Sequence, residues 1–69
     1  MKPKTWDEVL AYCTTHNIVF YKAPLDLRAT PCGVTRVTKN RKVRLRPLSD
    51  ASPFYADSKH LERFELRGF

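Results

Sequence analysis

Sixty-nine residues make one domain, and a chain this short buries only about 60% of the surface its unfolded form exposes. With 42% hydrophobic and 29% charged residues and no low-complexity tract, it does not have the composition of a disordered chain. The net charge is +6, the calculated pI is about 9.8, and eight of the thirteen basic residues fall between Lys22 and Arg46, where Asp26 is the only acid. Such segregation points to a nucleic acid, an acidic protein or an anionic surface as partner. No apolar stretch approaches the roughly 20 residues that span a bilayer. Met1-Lys2-Pro3-Lys4 runs into a polar, helix-forming segment instead of the apolar core of a signal peptide. Two cysteines do not make a disulfide framework, so reduced thiols and a cytoplasmic location are expected.

Thr5-Trp6-Asp7-Glu8 opens the first element. Thr at the cap with Glu three residues on is a capping box, and such a cap is worth about 1 kcal/mol. Asp7 and Glu8 also lie at the positive end of the helix dipole. Trp6, Val9, Leu10 and Cys13 follow at the i, i+3, i+4, i+7 spacing of a core-facing stripe, with Tyr12 and His16 on a flanking face. The pattern predicts a helix over residues 5–15, with Asn17 as a left-handed stop. Ile18-Val19-Phe20-Tyr21 is too short for a helix and reads as a central strand or one covered on both faces. Lys22-Ala23-Pro24 ends it, because proline cannot donate to a central ladder. Leu25, Leu27 and Ala29 alternate with Asp26, Arg28 and Thr30, as in an edge strand or an extended loop, and Thr30-Pro31-Cys32-Gly33 reads as a turn.

The stretch from Gly33 to Pro47 holds six basic residues and no acid. Thr35, Val37, Val43 and Leu45 share one parity; Arg36, Thr38, Lys42, Arg44 and Arg46 share the other. Period-two alternation around a polar centre predicts a β-hairpin with one dry and one cationic face. A two-residue turn would set Val37 opposite Lys42 and spoil both faces. A three-residue loop, Lys39-Asn40-Arg41, sets Val37 opposite Val43 and Thr35 opposite Leu45; it needs one left-handed residue, and Asn40 is the tolerant type. In that register Arg36 lies directly across from Arg44. Opposed like charges destabilise a sheet on the ~0.2–1 kcal/mol scale of cross-strand pairs. A phosphate-bearing ligand, an acidic partner, or carboxylates from elsewhere in the chain (Asp50, Glu62 or Glu65) would offset this. A merely solvated face that keeps edge strands apart is the plainer explanation.

Beyond Pro47, residues 48–53 have the composition of a loop, and Phe54-Tyr55-Ala56 is expected to pack back onto the core. Asp57 to Phe64 reads as a short helix capped by Asp57 or Ser58, with Leu61 and Phe64 inward, and Glu65-Leu66-Arg67 as a last short strand. The expected class is α+β: an N-terminal helix packed on a small antiparallel sheet of three or more strands, with a short C-terminal helical turn. A small SH3-like β-barrel is the alternative.

Four constellations bear on chemistry. Arg36, Lys39, Arg41, Lys42, Arg44 and Arg46 are the candidate nucleic-acid or anion-binding residues, since Lys and Arg neutralise phosphates and Arg adds bidentate geometry. A base-stacking platform also needs aromatics among the charges; the hairpin has none, and Tyr21 and Tyr55 are the nearest in sequence, which favours backbone contact. Cys13, His16, Cys32 and His60 are potential zinc ligands, but the close Cys-x-x-Cys pair of a structural site is missing and Cys13 completes the helix stripe, so no metal or cofactor is expected. Asp57, Ser58 and His60 are adjacent in sequence, which is not triad geometry; no glycine-rich phosphate loop exists, and no enzyme activity is expected. Most of the aromatics belong in the core, with Trp6 half exposed and Phe69 either a docked plug or a partner contact. The expected role is nucleic-acid binding through phosphate contacts on the hairpin's cationic face. The alternative is an adaptor or regulatory protein docking an acidic protein surface through the same face. A homodimer is compatible with both.

Overall fold

A computed structural model describes residues 1–48 and 52–67. Residues 49–51, part of the expected loop and including Asp50, lie outside the described residues, as does Phe69. The chain forms α1 (Trp6–Thr15), β1 (Ile18–Tyr21), β2 (Thr30–Val37), β3 (Val43–Pro47), β4 (Phe54–Ala56), a 3-10 helix (Ser58–Arg63) and β5 (Phe64–Glu65). The strands make one antiparallel sheet in the order β4-β3-β2-β1-β5, curled around α1. This is the expected α+β architecture. A short 3-10 helix does precede the last strand, as in a small SH3-like barrel. The barrel is not closed, however: β4 and β5 are the two edges, and no ladder joins them among the described residues. No helix among the described residues is long and apolar enough to cross a membrane.

α1 starts as its sequence dictates. The Thr5 hydroxyl accepts from the Glu8 N–H at 3.3 Å. The reciprocal half of the box slips by one residue, with the Glu8 carboxylate accepting from the Lys4 N–H at 3.2 Å. The helix ends differently from expectation. His16 caps it in an extended conformation, and Arg41, not Asn17, is the one non-glycine residue with positive φ among the described residues. Trp6, Val9 and Cys13 bury their side chains against Val19, Tyr21, Cys32, Val43, Leu45, Ala56, Phe64 and Leu66. Tyr21 meets Phe54 and Phe64, each at 5.0 Å between ring centroids, and Trp6 meets Phe64 edge-on at 5.5 Å. Each such buried side chain contributes about 1.5–3 kcal/mol. Trp6 is buried, not half exposed, because the hairpin tip folds over it and its indole N–H donates to the Arg41 carbonyl at 2.6 Å.

β2 is longer than expected. The residues read as a turn, Thr30 to Gly33, are its first half and pair with β1 from Tyr21↔Thr30 to Ile18↔Gly33. Pro31 is tolerated there for a local reason. Its carbonyl accepts from the Leu48 N–H at 3.4 Å, so its nitrogen points to the same side, where β3 has already ended. The preceding segment is a loop with an Ala23–Asp26 turn, not an edge strand, and it leaves Leu25 and Leu27 almost wholly exposed. The hairpin loop has the expected three residues: Val37 pairs with Val43 and Arg36 with Arg44. Beyond that the register shifts. A bulge at Thr35 sets Val34, not Thr35, opposite Leu45. Val34 and Val37 have opposite parity, so the extra residue is what lets both lie on the face that carries Leu45 and Val43; Val34 packs against the core there, while Val37 stays exposed.

Candidate functional site

The outward face of β2, β3 and β4 carries the charged side chains that alternation assigned to one side. Its central row runs Arg36 on β2, Arg44 on β3 and Tyr55 on β4, each directly opposite the next. One rung pair along, Arg46 lies opposite Gly33, which adds no side chain to the row. Towards the loop, Thr38 bonds to Lys42 twice: its N–H donates to the Lys42 carbonyl at 2.8 Å, and its side-chain hydroxyl accepts from the Lys42 N–H at 3.2 Å. Arg36, Thr38, Lys39, Asn40, Lys42 and Tyr55 line a groove of about 490 Å³. Among the described residues, no carboxylate forms an ion pair with Arg36, Lys39, Lys42, Arg44 or Arg46. Glu62 and Glu65, two of the candidate counter-ions, lie elsewhere: Glu65 pairs with Arg67 at 2.9 Å, and Glu62 accepts Lys2 on its backbone carbonyl at 2.6 Å.

Arg41 stands apart from the other five candidates. It is the third loop residue and takes the left-handed conformation, φ 62°, that the loop demands. A type I turn closing a three-residue loop puts that requirement on the last position, so Asn40 is spared it. A left-handed non-glycine residue costs about 1–2 kcal/mol. Two contacts hold it there: the Trp6 indole on its carbonyl, and an ion pair between its guanidinium and Asp7. The first turn of α1 therefore clamps the tip of the hairpin, and Arg41 is the clamp's handle.

Of the two tyrosines nearest the hairpin, Tyr21 turns inward and Tyr55 turns outward; Tyr55 is 53% exposed. Nothing in the three-residue run Phe54-Tyr55-Ala56 tells which way it faces; pairing with β3 decides it. A second basic cluster, which no local pattern reveals, comes from distant segments: Lys2, Lys22, Lys59 and Arg63 surround Glu62 in a depression of about 300 Å³.

The remaining constellations do not assemble. No group of three or more His, Cys, Asp or Glu side chains among the described residues is arranged to hold a metal. Cys13 and Cys32 are free and buried, and burial pushes the Cys13 thiol up to about 11. His16 stacks on Tyr12 at 3.9 Å. Asp57 and His60 are occupied in capping the 3-10 helix: the Asp57 carboxylate accepts from the Lys59 N–H at 3.0 Å, and the His60 ring accepts from the Asp57 N–H at 3.2 Å. The Lys59 N–H and the neighbouring His60 hold the Asp57 carboxyl below its usual range. Comparison with family models, with curated proteins and with solved structures returns no match for this chain.

Proposed function

We propose that this is a binding domain, not an enzyme, and that its β2-β3-β4 face takes a nucleic acid by its phosphates. The observation that carries the reading is the Arg36–Arg44 pair: two arginines in register across the β2-β3 ladder, neither of them in an ion pair with a carboxylate of the described residues. Such a pair works against the sheet by a few tenths of a kcal/mol or more, and a bound phosphate turns that repulsion into attraction. Arg46, Lys39 and Lys42 extend the same field around the groove. Contacts of this kind neutralise charge and release counter-ions, and they carry little sequence information. In this reading the protein works in the cytoplasm, where its two free thiols stay reduced.

A salt titration tests it. With about five phosphates neutralised, log K falls against log salt with a slope of about −4.5 on duplex and about −3.5 on a single strand. The double variant Arg36→Glu/Arg44→Glu loses binding and keeps its fold. The equal charge change at the second cluster, Lys22→Glu/Lys59→Glu, has a far smaller effect. No retention of any nucleic acid at low salt, or equal losses in the two double variants, ends the proposal; an acidic protein surface is then the partner to seek.

A further inference from the structure

We propose that the nucleic acid on this face is single-stranded and stacks a base on Tyr55; this rests on the phosphate-binding reading above and names the form of its ligand. Tyr55 is the one aromatic among the described residues whose ring has no internal partner. Trp6 packs on Phe64, Tyr12 on His16 and Tyr21 on Phe54 and Phe64, while Phe20 lies under the Arg67 guanidinium at 4.1 Å. The Tyr55 hydroxyl forms no hydrogen bond with the described residues, and the residue is 53% exposed. Its position is as telling as its exposure. It flanks Arg44 on one side as Arg36 does on the other, so the row spans two strand spacings, about 10 Å. A phosphate held between Arg36 and Arg44 leaves the adjoining base within reach of the ring.

The groove beside Tyr55 is also of ligand size, about 490 Å³, with Thr38 and Asn40 on its wall as hydrogen-bonding groups for a base edge. In a duplex each base is covered by its neighbours, and an isolated tyrosine ring meets only backbone. In a single strand the base face is free, and a ring next to cations is the arrangement that holds it.

Binding of a labelled oligonucleotide of ~10 nucleotides, compared with the same sequence as a duplex, tests this in the wild type, Tyr55→Leu and Tyr55→Phe. The expected result is a tighter single-strand complex in the wild type. Tyr55→Leu should weaken that complex roughly 10-fold and leave the duplex complex unchanged, while Tyr55→Phe should stay within about 2-fold of wild type. Circular dichroism confirms that each variant is folded. Equal or tighter duplex binding, or less than a ~2-fold loss in Tyr55→Leu, overturns the stacking inference and leaves the phosphate reading standing. Failure of the wild type to bind either form overturns both.

Discussion

The outward face of the sheet has two halves that treat the same residue types in opposite ways. On β1 and β5, Phe20 is 8% exposed, with Arg67 over its ring at 4.1 Å and Glu65 holding that guanidinium at 2.9 Å. Ring, cation and carboxylate satisfy one another there. On β3 and β4, Arg44 and Tyr55 are also neighbours, and Arg36 completes the row, but no carboxylate of the described residues joins them and the ring is half exposed. The first half is assembled for stability. The second leaves its cations and its ring without such partners, and that is where the proposed ligand would act.

Substitutions that break this contrast differ first in binding. Arg36→Glu/Arg44→Glu should cost roughly 100-fold or more in nucleic-acid affinity at low salt, while Arg67→Ala, one cation lost from the satisfied half, should stay within about threefold. A filter-binding comparison of the two checks it.

Stability should move the other way. Arg67→Ala removes a cation–π contact worth about 0.5–1 kcal/mol and an ion pair worth up to about 1 kcal/mol, so it destabilises. Arg36→Ala relieves an opposed like charge and should be neutral or stabilising by up to about 1 kcal/mol. Urea titrations of both variants read the difference in sign.

The clamp at the hairpin tip gives a smaller effect. Arg41→Gly relieves a left-handed conformation worth about 1 kcal/mol and gives up an exposed ion pair with Asp7 worth about as little. The net change should lie within about 1 kcal/mol, and affinity should stay within about threefold if Arg41 belongs to the clamp and not to the face.

Far from that face, the buried thiols set a pH limit. Cys13 is raised to about 11 from 9.0 by burial, and Cys32 is raised for the same reason. The unfolded chain loses these protons first, so stability is full below pH 9 and falls as pH rises towards 11. Cys13→Ala should flatten that alkaline slope in a thermal-melt series.

Much of this was legible in the residues. The cap, the apolar stripe and the strand at Ile18 to Tyr21 each follow from a local pattern that one element satisfies by itself. So does the opposition of Arg36 and Arg44, because parity and loop length together fix it. The misses share a different cause. Thr30 to Gly33 has turn residues, but Pro31 sits where the third strand has run out, which only the assembled sheet reveals. The bulge at Thr35 was written in the odd spacing of Val34 and Val37, but only if both are known to share one face of the sheet. Tyr55 and the Arg41 clamp depend on contacts between segments more than ten residues apart, which no short pattern encodes.

The variant Arg36→Glu, measured for melting temperature and for single-strand affinity in the same buffer, probes the central claim most directly. It replaces repulsion across β2 and β3 with attraction and puts a negative charge where a phosphate should sit. The account predicts a melting temperature higher by a few degrees, about 2–6 °C, together with a large loss of binding. A fall in both would make Arg36 a structural residue, and unchanged binding would mean that the face is not where the anion goes.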